Sequence, residues 1–167
     1  MKALARARAV RLAIFDVDGV MTDGTVYLGA RGEEFKAFNI LDGHGVKMLH
    51  EAGIATAIIS GRRSKAVALR ARELDMRHVE QGAKDKIEVF QRLAKKLGVK
   101  PRECSYMGDD VQDVAVMRLC GFAVSVPNAA REARAAAHWV TQAAGGRGAV
   151  REFCELVVRA RRAGRRA

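Results

Sequence analysis

The sequence predicts an α/β domain: a three-layer, Rossmann-like parallel sheet with helices on both faces and a β-hairpin flap after the first strand. Short apolar runs, too brief for helices, recur along the chain and end in Asp, Ser-Gly, Gly-Asp or Pro. Segments with apolar residues at helical spacing separate them. No linker interrupts the alternation, and the 167 residues hold only Pro101 and Pro127 as prolines, so the chain reads as one domain over 1–167. Strands alternating with helices imply right-handed crossovers and parallel strands covered on both faces.

Leu12–Phe15 is an apolar run ending in acids, which reads as the first, buried strand. Residues 25–28 and 34–38 alternate apolar and polar side chains around Gly-Ala-Arg-Gly, a hairpin signal where a plain crossover would place a helix. Residues 43–52 read as a helix, 54–59 (IATAII) as a second buried strand ending at Ser60-Gly61, and 64–74 as another helix. Residues 85–97 carry Ile87, Phe90, Leu93, Ala94 and Leu97 on one helical stripe, stopped by Gly98. Residues 105–107 and 121–126 are further strands, running into Gly108-Asp109-Asp110 and Pro127. Phe122, Trp139, Phe153 and Leu156 are expected in the core.

Composition narrows the class. Apolar residues make up 49% and charged residues 29%, as in a globular domain rather than a disordered chain. No run approaches the ~18 apolar residues of a membrane span, and no secretory signal is expected. Three widely spaced cysteines exclude a disulfide scaffold and suit a reducing cytosol, so the expected location is cytoplasmic. The net charge is +11, but residues 1–11 hold four basic residues and no acid, and 147–167 hold seven arginines and two glutamates. The excess is thus concentrated in two terminal segments, read as a basic N-terminal stretch and a basic C-terminal tail, 147–167. With 5% aromatics and no reader motif, no nucleic-acid partner is expected, and no membrane.

The first strand ends Phe15-Asp16-Val17-Asp18-Gly19-Val20-Met21-Thr22-Asp23. Carboxylates two residues apart at a strand's C-terminal end face the crevice where α/β sheets bind ligands. Acids this close repel unless they share a cation, so Asp16 and Asp18 suggest a hard divalent ion, Mg²⁺ above all. Alone, the pattern equally fits a solvated acidic turn. Asp109 and Asp110 follow another strand, with Asp113 one turn into the next helix, and these acids can complete the ion's shell. Ser60-Gly61-Arg62 offers a hydroxyl, an amide and a helix N-terminus, a phosphate-binding corner. Lys86, early in its helix, adds a fixed positive charge.

These residues together resemble the haloacid-dehalogenase-like phosphatase superfamily. Asp16-Val17-Asp18-Gly19-Val20-Met21-Thr22 stands for its first motif, Ser60 for its second, Lys86 for its third and Asp109-Asp110 for its fourth. The resemblance implies that Asp16 is the nucleophile and forms an aspartyl-phosphate, that Asp18 is the acid and base, and that Ser60 and Lys86 bind the phosphoryl oxygens. It implies Mg²⁺ held by Asp16, the backbone carbonyl of Asp18, and Asp109, with Asp110 and Asp113 as supporting acids. The intervals from Asp18 to Ser60 and from Ser60 to Lys86 leave no room for the cap domain that many members carry. More finely, 15–24 (FDVDGVMTDG), 38–45 (FNILDGHG), 59–63 (ISGRR), 106–110 (YMGDD) and 145–152 (GGRGAVRE) resemble the capless sugar-acid phosphatases of bacterial lipopolysaccharide synthesis. Those are homotetramers in which a neighbouring subunit helps to lid each site. That resemblance implies substrate contacts from Asn39, Ile40, Leu41, Asp42, Gly43, Lys47, Gly61, Arg62, Arg70 and Lys86. Arginines suit a phosphorylated keto acid, because each can clamp a carboxylate with two parallel hydrogen bonds. Many members have Arg at the position of Leu41, so this substrate loop lacks one cation. The Gly145-Gly146-Arg147-Gly148 stretch would let the basic tail swing over a neighbour's site. A nine-carbon sugar-acid phosphatase, a nucleic-acid 3′-phosphatase, a phospho-accepting signalling domain and an inactive scaffold are the alternatives.

Overall fold

The computed structural model describes residues 2–32 and 34–164. In chain order the elements are α1 (Lys2–Arg8), β1 (Leu12–Phe15), β2 (Tyr27–Leu28), β3 (Glu34–Phe35), α2 (Ile40–Glu51), β4 (Ala55–Ser60), α3 (Lys65–Glu73), β5 (His78–Gln81), α4 (Lys86–Lys96), β6 (Cys104–Met107), α5 (Val111–Leu119), β7 (Phe122–Ser125), α6 (Arg131–Ala136), β8 (Trp139–Val140) and α7 (Ala149–Gly164). Six strands form one parallel sheet in the order β5-β4-β1-β6-β7-β8, and β2 and β3 pair antiparallel as a separate hairpin.

The sheet explains its own sequence. β1, β6 and β7 lie between other strands and are buried along their whole length, so they read as continuous rather than alternating runs. β5, at the edge, is half-buried and carries His78, Glu80 and Gln81. Successive strands step one way from β1 to β4 to β5, then the other way from β6 to β7 to β8. Right-handed crossovers therefore place α2 and α3 on one face and α4, α5 and α6 on the other. α7 packs along α2 and α1 along α7, closing the first face. Among the described residues, no helix is long and apolar enough to cross a membrane.

The structure departs from the sequence reading at three places. The hairpin pairs only Tyr27 with Phe35 and Leu28 with Glu34, shorter than 25–28 against 34–38; Glu33 lies outside the described residues. The substrate loop begins a helix instead. Asn39 Oδ1 accepts from the Leu41 and Asp42 N–H groups at 2.8 and 3.4 Å and starts α2 at Ile40 rather than at residue 43. The largest correction concerns 147–167. Ala149–Gly164 is not a tail but a core helix that buries Ala149, Val150, Phe153, Cys154, Leu156, Val157, Val158 and Ala160. Counting charge conceals this stripe because the arginines occupy the opposite face. Residues 165–167 lie outside the described residues. The N-terminal basic stretch is likewise partnered: Arg6 donates to Gly121 O at 2.7 Å, Arg8 to Gly164 O at 3.1 Å, and Arg161 to Val10 O at 3.3 Å.

α7 is anchored by Phe153, which meets Phe15 of β1 edge-to-face at 5.7 Å and packs against Phe122 at 6.1 Å. Phe153→Ala should destabilise the protein by about 3–5 kcal/mol through the cavity left behind. A drop in melting temperature of roughly 10 °C is expected for a chain of this size, whereas an unchanged melt would mean that α7 does not complete the core.

Candidate active site

Strand order reverses at β1, with β4 on one side and β6 on the other, and the groups that follow these three strands meet in one crevice. Asp16 follows β1, and its N–H still pairs with Met107 O at 2.9 Å. Ser60 closes β4 and is buried, accepting from the Arg62 N–H at 3.3 Å. Lys86 arrives from the first turn of α4. Asp85 caps that helix by accepting from the N–H groups of Ile87 and Glu88, which fixes where the turn begins and so where Lys86 is aimed. Lys86 Nζ donates to Asp16 Oδ1 at 3.0 Å and to Asp113 Oδ1 at 2.6 Å, and no side chain of the three is more than 5% exposed.

Asp113 is the hub of this corner. Besides Lys86, it accepts from the Tyr106 O–H at 2.8 Å and from the N–H groups of Asp109 and Asp110, both at 3.1 Å. Both its oxygens are thus committed, and it shapes the loop that presents Asp109. Asp110 faces away and caps α5, accepting from the Val111 N–H at 2.7 Å. Asp109 differs from both, since its Oδ1 is buried with no partner. Gly19 makes this approach possible: it sits at φ +92°, and a Cβ there would overlap Asp109 Oδ2.

Crowding three carboxylates out of water has an electrostatic consequence. Burial first, and then Asp113, push Asp16 up to about 7 despite the pull of Lys86. Burial, Asp113 and Asp110 push Asp109 up to about 7 as well. Burial alone would lower Lys86, but Asp16 and Asp113 outweigh it and hold the ammonium above its ordinary range. Donor atoms of Asp16, Asp109 and Asp113 lie within 4.8 Å of one another. An all-oxygen donor set with an orphaned buried oxygen and excess negative charge fits a hard divalent cation.

Asp18 lies outside this corner. Its side chain is 22% exposed, with Lys36 of the hairpin on Oδ1 and Arg62 Nε 3.6 Å from Oδ2. Arg62 also pairs with Glu34 at 2.9 Å. The backbone around Asp18 is braced from below: Asn128 donates to Gly19 O at 3.3 Å and accepts from the Gly145 N–H at 2.8 Å, and the Gly146 N–H donates to Val20 O at 2.9 Å. Gly145 packs so closely that a Cβ would overlap Gly19 O. The Gly145-Gly146 pair is therefore a packed brace under the Asp16–Thr22 loop, not a hinge.

The other expected substrate contacts gather elsewhere. Asn39, Ile40, Leu41, Asp42, Gly43 and Lys47 lie at the start of α2, and among the described residues none hydrogen-bonds to Asp16, Asp18, Ser60, Lys86 or Asp109. Ile40 and Leu41 point into solvent at 82% and 59% exposure. Asp42 is buried and accepts from the Arg151 N–H at 2.8 Å, the N-terminus of α7. Arg70 donates to Asn39 O and Glu73, with its guanidinium 5.9 Å from the Phe38 ring, and Gly43 leaves room for it. Gly61 is exposed beside Ser60. Sequence reasoning missed Lys36, Glu34, Tyr106 and Asn128. The alternation Glu34-Phe35-Lys36 was a readable sign that Glu34 and Lys36 share one face; nothing local marked Tyr106 or Asn128.

The site and sheet define a haloacid dehalogenase-like hydrolase, and the profile of that family matches residues 78–153. The 3-deoxy-D-manno-octulosonate 8-phosphate phosphatase of Yersinia pestis is 45% identical over 155 residues, 93% of this chain and 83% of that protein. The Escherichia coli K12 enzyme of the same name is 44% identical over 93% of this chain and 82% of its own length. A crystal structure of the Moraxella catarrhalis phosphatase with magnesium, phosphate and KDO superposes with a TM-score of 0.94, at 42% identity, over 96% of this chain and 92% of that one. The chain belongs to the 3-deoxy-D-manno-octulosonate 8-phosphate phosphatase family.

The raised carboxylates predict a pH effect with a definite sign. Asp16 and Asp109 ionise at about 7 in the folded protein rather than at 3.8. Without a cation, the contribution of these two groups to stability should therefore be fully present below the ordinary carboxylate range and be lost as pH rises towards about 7. At pH 8, metal-free Asp109→Asn should be more stable than the parent by about 1–3 kcal/mol. Adding Mg²⁺ should raise the parent's melting temperature and leave the variant's nearly unchanged. A variant less stable than the parent under metal-free conditions would refute the crowding argument.

Proposed function

We propose that the protein is a Mg²⁺-dependent phosphomonoesterase that converts 3-deoxy-D-manno-octulosonate 8-phosphate to the free sugar acid and phosphate, in lipopolysaccharide precursor synthesis in the cytoplasm. The observation that carries this reading is Asp16 at the sheet's switch point, held by Lys86 beside the unpartnered Oδ1 of Asp109. The activity of these relatives supplies the substrate.

Each residue then has a task. An oxygen of Asp16 attacks phosphorus, the bond to the sugar oxygen breaks, and Asp18 gives that oxygen its proton. Water then attacks the aspartyl-phosphate, Asp18 takes the water's proton, and the bond between Asp16 and phosphorus breaks to release phosphate. Asp16, Asp109 and the Asp18 carbonyl would hold Mg²⁺, which would supply positive charge to offset that of the phosphoryl oxygens. Lys86 and the Ser60 hydroxyl hold those oxygens, and Asp113 keeps Lys86 in place. Gly61 and Arg62 border the same corner, and Arg62 supplies a guanidinium group for the substrate carboxylate, while Arg70 lies beside the start of α2, where only a neighbouring subunit's substrate could reach it.

The assembly we propose is a homotetramer. Tyr27, Leu28 and Phe35 on the hairpin, with Ile40 and Leu41 on α2, expose 53–82% of their surface, an apolar patch that a monomer has no reason to keep in water. A neighbour docked there would bring the start of its own α2, residues 39–47, towards the open side of this site.

Phosphate release from a panel of phosphoesters tests the reading. The eight-carbon sugar-acid phosphate should be preferred over a nine-carbon analogue and a 3′-phosphorylated oligonucleotide, and Asp16→Asn should abolish turnover. Preference for another ester would overturn the substrate while keeping the chemistry. The scattering mass in solution should be four times that of the chain; Leu28→Asp with Phe35→Asp should lower it, and a monomeric parent would refute the assembly.

A further inference from the structure

The hairpin is two-faced. Phe35 points outward at 63% exposure, while its neighbours in sequence, Glu34 and Lys36, point back at the site. Lys36 is the unexpected member: its side chain is fully buried, on an element of two short strands otherwise open to solvent. A lysine on such a ribbon can reach water with little strain, and taking its ammonium out of water is costly unless the geometry repays it. Lys36 is instead committed to two acids, Asp18 Oδ1 and Glu34 Oε1, the latter at 3.5 Å. Glu34 Oε2 holds Arg62, whose Nε faces the other oxygen of Asp18. Each Asp18 oxygen therefore faces a cation, and one flap carboxylate tethers both cations. Among the described residues, neither Lys36 nor Glu34 hydrogen-bonds or ion-pairs with Asp16, Asp109 or Lys86, so both bear on Asp18 rather than on the inner corner.

We infer that Lys36 is a positioning residue: docking of the flap fixes the Asp18 carboxyl group in the orientation from which it takes a proton from the attacking water. The inference rests on the proposed role of Asp18. In that step the oxygen–phosphorus bond to water forms, the bond between Asp16 and phosphorus breaks, and the water's proton passes to Asp18. Lys36 exchanges no proton; it removes the rotational freedom that a half-exposed aspartate would otherwise have. Because Phe35 lies between Glu34 and Lys36, whatever covers the outer face of β3 also presses this lattice onto Asp18.

The test is Lys36→Met assayed with 4-nitrophenyl phosphate and Mg²⁺. Nitrophenolate departs without a proton, so kcat/KM reports formation of the aspartyl-phosphate and kcat reports its hydrolysis. The variant should lose about 100-fold in kcat and only a few-fold in kcat/KM, the scale of a misplaced general base. A rapid burst of one nitrophenolate per site should precede its steady state. Lys36→Arg should recover most of kcat and lose the burst. Glu34→Gln, which leaves Lys36 in place but untethered, should shift kcat in the same direction by less, and it carries the test if Lys36→Met melts below the assay temperature. Equal losses in kcat and kcat/KM without a burst, in either variant, would overturn the positioning role. A parent enzyme that releases neither nitrophenolate from this ester nor phosphate from the eight-carbon sugar-acid phosphate would instead bring down the phosphatase reading on which the inference stands.

Discussion

The carboxylates of Asp16, Asp109 and Asp113 share one buried corner of the sheet with Lys86, and the negative charge there exceeds the positive. A charge kept out of water needs a partner, and one partner cannot serve three. The corner survives because Asp113 is satisfied completely, by Lys86, Tyr106 and two backbone N–H groups, while the surplus is left on Asp16 and Asp109. That surplus makes the corner a receptor for a hard cation. Much of the surrounding backbone follows from it: Gly19 admits the Asp109 carboxylate, and Asp85 starts α4 where Lys86 reaches the corner.

A second layer of contacts holds the loop that carries Asp16 and Asp18. From below, Asn128 and the Gly145-Gly146 turn bind its carbonyls; from above, the flap lays Lys36 against Asp18. The brace leads directly into α7, which packs its apolar stripe beneath β1 and along α2, and α2 in turn sets Asp42 against the N-terminus of α7. The loop of Asp16 and Asp18, the C-terminal helix and the start of α2 are thus one mechanical unit. This explains why glycines distant in sequence, Gly19 and Gly145, meet backbone to backbone.

The two groups of polar residues divide the chemistry. The inner corner is dry and fixed, suited to a nucleophile and a cation. Asp18 sits at the edge, partly exposed and reached by a short hairpin with an apolar outer face. An edge carboxylate is open to both water and a ligand, and the charged face of the flap holds it there while the apolar face stays exposed.

The alternation of strands and helices, the acids Asp16, Asp18 and Asp109, and Lys86 were all legible in the chain, because each lies within a few residues of the strand end or helix cap that aims it. Asp16-Val17-Asp18-Gly19 and Gly108-Asp109-Asp110 are local signals, and β1, buried on both faces, leaves an unbroken apolar run. Asn39 as a helix cap and the stripe of α7 were equally local, but the first was masked by reading the segment as a loop and the second by its arginines. The remainder is non-local. No spacing reveals that Asp113, rather than Asp110, gathers Lys86 and Tyr106, that Gly145 lies on Gly19, or that Lys36 returns to Asp18. Those contacts join residues 7 to 126 positions apart, and only the closing of the sheet brings them within contact distance. The sequence by itself determined which groups could do chemistry; the tertiary structure decided which of them share a charge, and so which carboxylate is held and which is left without a partner, because those contacts form only when the sheet closes.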